Sequence, residues 1–405
     1  MARVLLLVPS ASYRTTDFVE AARALGVEVV VGSPEAHVLS RVMGPRALQV
    51  PLGRPEEAAD AIVAHDRIAP LDAVVAVDDA GTVAAAVASQ RLGLVHNPPT
   101  AVRAARDKQL MRLLLQRAEV PQPAFAVLDA EVAAEEAAAL GVGFPCVVKP
   151  TTLSGSQGVI RADDPEQLAV AVRRSRAIAT AAGCPASAPL LVERFVGGAE
   201  VAVEALLVDG ELRVLAVFDK PDPLEGPYFE ETIYVTPSRL PPADLQAALG
   251  ALRQATAAMG LVDGPVHAEF RVGGGRAAVI EVAARTIGGL CSRTLAFGAG
   301  HSLEELVLAH ALGRPVVDQL AGGAAGVLML PIERAGTLVA VEGQEEAAAV
   351  EGIVAVQVTV PPGRPVLPLP EGDRYLGFVF ARGAEPAAVE GALRRVQRLL
   401  RVRIE

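Results

Sequence analysis

Two acids and one arginine recur at strand spacing in the segment HAEFRVGGGRAAVIEVAAR, residues 267–285. Alternate residues of a strand line one face, so His267, Glu269 and Arg271 share a face. Glu281, Ala283 and Arg285 share another. The run Gly273-Gly274-Gly275 supplies the turn of a hairpin. Where the two faces coincide, two carboxylates meet beside a cation. Paired carboxylates suit Mg²⁺, a hard ion that takes oxygen ligands. A neighbouring guanidinium suits a phosphate or a developing oxyanion. A charged, solvent-facing hairpin has the same pattern, and this segment alone does not separate the two readings.

A second candidate lies upstream in VVKPTTLSGSQGVI, which begins at Val147. A strand ending at Lys149 runs into a glycine/serine loop and then a second strand. Nucleotide loops of the Walker and Rossmann types lead into a helix instead, and GxxxxGK[ST] is absent. Ser154, Gly155, Ser156 and Gly158 therefore read as a β-loop able to close over phosphates, with hydroxyls and amides as donors. A plain hairpin turn is the competing reading. Asp78 and Asp79 follow a short apolar strand, at the end where open α/β sheets place ligands. We read them as caps of the next helix.

The elements that must carry these residues alternate in type. Strands at 3–8, 27–31 and 73–77, with helices at 17–25 and about 80–91, predict a parallel sheet. After Asn97-Pro98-Pro99 a helix is expected from Thr100 to about Ala118. A strand at 124–128, a helix at 131–140 and a helix at about 164–182 follow. The segment GGAEVAVEALLVDGELRVLAV alternates around Asp209-Gly210, a strong hairpin signal. Residues 219–238 read as a long, proline-rich loop that contains Lys220 and Glu231, and loops of that length tend to be functional. Helices at about 243–259 and 302–312 flank the opening hairpin. A strand (375–380), a helix (386–400) and a strand (401–404) close the chain.

Composition narrows the function classes. At 405 residues the chain has room for two to four domains, and 51% hydrophobic content can fill large cores. A net charge of −10 argues against non-specific nucleic-acid binding. The three cysteines, Cys146, Cys184 and Cys291, form no CxxC pair or closed disulfide set, so a cytoplasmic location is expected. Cys146 reads as a buried thiol. No apolar run reaches about 18 residues, the length of a membrane helix. The apolar start reads as a first buried strand rather than a leader. The basic end RRVQRLLRVR reads as a helix packed on a sheet through Val396, Leu399 and Leu400, not as a membrane-binding helix.

Taken in order, these features resemble the ATP-grasp superfamily of carboxylate–amine ligases, and most of all its dipeptide-forming L-amino-acid ligase branch. The similarity covers essentially the whole chain. It rests on HNPPTAVRAARDKQLMRLLL with Lys108, on Lys149 and its loop, and on ERFVGGAE with Glu193 and Glu200. Glu269, Glu281, Arg285 and the segment GVLMLPIERAGTLVAVEG complete it.

The resemblance implies an α/β and α+β protein with an ATP-grasp fold. Its parts would be an N-terminal parallel-sheet domain at 1–98, an ATP-grasp domain at 99–320 and a C-terminal α+β domain at 321–405. Within the second, a lid would span about 122–192 and a catalytic core about 193–320. Lys108 and Lys149 would contact ATP phosphates, Lys149 near the adenine side, under the loop Ser154–Gly158. Glu193, Phe195 and Val196 would hold adenine, largely through backbone groups, and Glu200 the ribose. Glu269 and Glu281 would bind Mg²⁺ (or Mn²⁺), and Arg285 would stabilise an acyl phosphate and tetrahedral intermediate. Glu231, Tyr234, His267, Gly288 and Gly289 would border the substrates.

One departure stands out. Many members have Asn two residues after the second glutamate, as a second-metal ligand, and this chain has Ala283 there. The implied reaction is ADP-forming ligation of an amino acid or related carboxylate to an amine. The implied partners are thus small molecules, with no nucleic acid and no membrane, and a homodimer is a general expectation. Biotin-carboxylase-like or purine-type ligation, and non-catalytic nucleotide binding, are the alternative readings. The sequence does not fix the substrates.

Overall fold

A computed structural model describes residues 1–10, 12–35 and 44–405. Strands Arg3–Leu7 (β1), Glu28–Ser33 (β2), Ala47–Gln49 (β3) and Ala73–Ala76 (β4) pair in parallel in the order β3-β2-β1-β4. β1 is apolar on both faces because both are covered. Leu5 and Leu7 pack with Ile62 and Ala84, from helices Pro55–Asp66 and Thr82–Leu92. Val4 and Leu6 face Phe18 of helix Thr15–Ala24 and Val307 of the distant helix Leu303–Ala311. The end of β4 is thereby fixed against a much later part of the chain.

The expected entry helix is two helices, Pro99–Arg106 and Lys108–Arg117. Asp107 breaks it with an extended backbone (φ −125°, ψ 106°). Its carboxylate caps the second helix by accepting from the amides of Gln109 and Leu110. Lys108 therefore opens a helix. Next comes an antiparallel sheet of Phe125–Leu128 (β5), Cys146–Pro150 (β6), Ile160–Ala162 (β7) and Leu190–Arg194 (β8), in the order β5-β8-β6-β7. The helix Pro165–Ala181, capped by Asp164, covers it. The helix expected at 131–140 is a 3-10 segment, Ala134–Leu140.

The rest forms one eight-stranded antiparallel sheet. Its strands are Ala199–Val208 (β9), Glu211–Lys220 (β10), Ile233–Thr236 (β11), Gly264–Gly273 (β12), Arg276–Ala283 (β13) and Ala324–Leu330 (β14). Gly336–Glu342 (β15), Ile353–Val358 (β16), Pro365–Val366 (β17), Gly377–Gly383 (β18) and Arg401–Ile404 (β19) follow. The order is β13-β12-β9-β10-β11-β14-β18-β16, and β17-β15-β19 make a smaller sheet. The long loop read at 219–238 thus contains a strand: β11 pairs with both β10 and β14. Its four residues are fully buried, and such burial requires that their backbone groups be paired. Strands on both sides of residue 320 belong to this one sheet. Of the closing basic helix, Pro386–Leu399, Val396 is buried, but Leu399 is 39% exposed and does not pack as expected. Among the described residues, no helix is long and apolar enough to cross a membrane.

Candidate active site

β12 and β13 are the hairpin predicted at 267–285. Register sets Glu269 opposite Glu281 and His267 opposite Ala283, with a bulge after Glu269. The two acids face one cavity of about 690 Å³ between the core sheet and the β5–β8 sheet. Lys108, Lys149, Ser154, Ser156, Phe195 and Val196 line it, as do Glu193, Glu200 and Glu231. Residues from six separate segments are brought together there.

Each cavity acid has a cationic partner. Lys108 Nζ lies 3.1 Å from Glu281 and donates to the Leu153 carbonyl at 2.7 Å, which ties it to the glycine/serine loop. Lys149 Nζ lies 2.7 Å from Glu193 Oε2. The other oxygen of Glu193 accepts from Arg112 at 2.6 Å. Burial opposes charge on Glu193, yet Arg112 and Lys149 outweigh it and hold the carboxyl at about 2. The glutamate side chain is therefore committed to two cations, and its backbone lies within β8 between β5 and β6, so the expected backbone contact of Glu193 with adenine is not open.

Lys220 occupies the centre of an acidic trio that the sequence did not reveal as a cluster. Its ammonium reaches Glu200 at 2.8 Å, Glu269 at 3.1 Å and also Glu231. Burial works against its charge, but the three carboxylates raise its pKa well above the ordinary lysine value. The other partners of the trio differ. Arg271 Nε lies 2.8 Å from Glu200, and Tyr234 donates to Glu231 at 2.6 Å. Glu269 has only His267 Nε2, at 3.6 Å, beyond a normal hydrogen bond. Burial raises the Glu231 carboxyl despite Lys220. Glu269, though equally buried, is pulled well below the usual range by Lys220 and His267. Glu269 is thus ionised and the least satisfied of the three.

The remaining predicted residues, Gly155, Gly158, Tyr234, His267, Arg285, Gly288 and Gly289, are not among those that line this cavity. Tyr234 is buried under Glu231. His267 is buried, and its Nδ1 lies 3.0 Å from Glu204, whose carboxylate also accepts from the Ile287 amide. Gly158 donates its amide to the Pro370 carbonyl, and a Cβ there would come within 2.7 Å of Pro150. Its glycine (φ +73°) answers to packing. Gly155 and Gly288 have open space around them, whereas a Cβ on Gly289 would strike Phe378 at 2.8 Å.

Arg285 follows the end of β13 and meets Asp79 at 3.1 Å. Asp79 also binds Arg106 at 3.1 Å. Burial opposes its charge, but Arg285 and Arg106 prevail and hold it at about 2. Neither aspartate caps the helix Thr82–Leu92 as expected, since its N-cap is Gly81; Asp78 caps only the 3-10 turn Asp79–Gly81, accepting from the Asp79 amide at 2.7 Å. Asp79, Lys220, Arg112, Arg271 and Glu204 were all missed as site residues. Asp79 at a strand end and Lys220 in the long loop carried a local hint, but the partners of all five are set by tertiary contacts. Cys291, beside Arg285 in sequence, is fully buried, and burial pushes its thiol far up.

The donor set fits a hard divalent cation. Glu269 and Glu281 offer carboxylate oxygens to the cavity, where they now meet the ammonium groups of Lys220 and Lys108. Ala283 is buried and has no ligating atom.

Comparison with known proteins agrees with this geometry. The ATP-grasp N-terminal domain family matches residues 19–96, and the ATP-grasp domain family matches 142–294. The L-amino acid ligase C-terminal domain 2 family matches 328–405. The solved L-amino acid ligase from Bacillus licheniformis superposes with a TM-score of 0.82 at 25% identity, covering 100% of this chain and 99% of that one. The chain belongs to the ATP-grasp superfamily and is similar to its L-amino-acid ligase branch.

Other ATP-grasp proteins share less. Alanine--anticapsin ligase of Bacillus subtilis is 29% identical over 253 residues, which is 58% of this chain and 52% of that protein. The chain thus spans about half the length of such curated relatives. N5-carboxyaminoimidazole ribonucleotide synthetase from Thermotoga maritima has the same fold, with a TM-score of 0.72 at 17% identity over 100% of both chains.

Proposed function

We propose that this ATP-grasp protein is an ADP-forming ligase that joins an amino acid, or a related carboxylate, to an amine. The observation that carries this reading is the convergence of Lys108, Lys149, Glu269 and Glu281 on one cavity beneath the loop Leu153–Gly158. ATP phosphates would lie between the lysines and that loop, with the base against Phe195 and Val196. Gly288 and Gly289 would border the substrates. Arg161 and Arg271, which stack on the Phe195 ring at 4.4 and 5.5 Å, stiffen that wall.

Mg²⁺ (or Mn²⁺) held by Glu269 and Glu281 would offset charge on the transferred phosphoryl group. The protein's own groups do the rest. The substrate carboxylate takes the γ-phosphoryl group of ATP, giving an acyl phosphate and ADP. The amine then attacks the activated carbonyl and phosphate leaves. Arg285, held by Asp79, stabilises the oxyanion; one such donor contributes roughly 3 kcal/mol. Glu231 and Tyr234 border the substrate beside Lys220. The covering loop keeps out water that would hydrolyse the acyl phosphate. Three unpaired cysteines fit a cytoplasmic setting. We keep the division at residues 98 and 320 as a proposal, with one sheet spanning the second boundary.

The test is a screen of amino-acid pairs for release of ADP and phosphate. AMP and pyrophosphate as products would overturn the reading. Glu281→Ala should abolish turnover, and a wild-type rate would remove Glu281 from the metal site.

A further inference from the structure

Arg112 has appeared so far only as a partner of Glu193, and its exposure is 0%. It lies in the helix that opens with Lys108. Its Nε donates to Glu193 at 2.6 Å, Nη1 to the Val279 carbonyl at 3.1 Å and Nη2 to the Ile280 carbonyl at 2.7 Å. One planar group thereby joins β8, the residues of β13 just before Glu281, and the helix of Lys108. Only a guanidinium can donate in three fixed directions at once.

The charges point the same way. Arg112 and Lys149 share one carboxylate, so the buried trio carries one uncompensated positive charge. Arg112 and Glu193 are sealed, with side chains 0% and 2% exposed, while Lys149 is 10% exposed and lines the cavity. The surplus charge is therefore presented to a ligand at Lys149 Nζ, where an anion would relieve it.

We propose that Arg112 is a positioning residue of the nucleotide site. Through Glu193 it aims Lys149 at the phosphates, and through the carbonyls of Val279 and Ile280 it sets the strand that carries Glu281. This inference rests on the reading of the cavity as an ATP site.

The test compares ATP with adenosine, which lacks phosphates, by competition against a fluorescent nucleotide in the presence of Mg²⁺. Glu193→Gln and Arg112→Lys should each lower the ratio of ATP to adenosine affinity about tenfold, the scale of one misplaced charge-assisted contact. Adenosine binding should fall by clearly less than ATP binding in both variants. The Mg²⁺ concentration for half-maximal ATP binding should rise in Arg112→Lys but not in Glu193→Gln, since only the former disturbs β13. A purely structural role would weaken both ligands equally, and that result, or an unchanged ratio, overturns the proposal.

Should Arg112→Lys fail to fold, a cycle of Glu193→Gln with Lys149→Met decides. Non-additive losses in the ratio support the relay, and additive losses refute it. Wild-type protein unable to bind ATP would instead overturn the nucleotide reading, and the relay with it.

Discussion

Asp79→Asn tests the joint between the N-terminal sheet and the reaction centre. The substitution keeps the shape of the side chain and removes its charge. Asp79 is 8% exposed and lies 3.1 Å from both Arg285 and Arg106. Its carboxyl sits at about 2 instead of 3.8. That difference corresponds to about 2 kcal/mol of stability at neutral pH. The folded-state value is depressed, so the contribution is complete above pH 3.8 and is lost as pH falls through about 2. Denaturant titrations should therefore show Asp79→Asn about 2 kcal/mol less stable at pH 7, with the gap closing in acid. Arg285 would keep its bond to the Thr286 carbonyl but lose its charged anchor. The ligation rate should fall about tenfold, with the KM for ATP nearly unchanged, because the lost geometry belongs to the acyl end. A variant as stable as wild type at pH 7 would refute the charge argument. A normal rate in a destabilised variant would show that the joint holds the fold without placing Arg285.

Two further outcomes follow from the same contacts. Glu371 grips Arg174 of the helix Pro165–Ala181 at 2.6 and 2.9 Å, and its carbonyl and that of Pro370 accept from Gln157 and Gly158. Both ion-pair side chains are partly exposed, so Glu371→Gln should cost less than about 1 kcal/mol of stability. Loosening the loop Leu153–Gly158 should still raise ADP released per amide formed by about twofold or more, and strict one-to-one stoichiometry would contradict this latch. Cysteine reactivity offers an independent check on packing. Burial pushes the Cys146 thiol up to about 11 and that of Cys291 higher still, while Cys184 is half-buried. A thiol reagent on native protein should label Cys184 rapidly and the other two only on unfolding; fast labelling of all three would refute the burial assigned here.

The structure added to the sequence reading in specific places. The turn at Gly273–Gly275 and the alternation around Asp209-Gly210 gave both hairpins, because strand period and turn residues are local properties. Thr100 to Ala118 misled as a single helix, because the extended backbone of Asp107 leaves no hydrophobic mark. β11 was hidden in a proline-rich loop because its partner, β14, lies about ninety residues later.

The sequence by itself determined most element types, the hairpin with Glu269 and Glu281, and the ordered lysines, acids and arginine that place this chain in the ATP-grasp superfamily. Only the tertiary structure decided which charges meet. Lys220 enters the trio of Glu200, Glu231 and Glu269, Arg112 grips Glu193, and Asp79 crosses from another sheet to hold Arg285. Ion pairing depends on distance in space and on exclusion of water, and no periodicity along the chain encodes either.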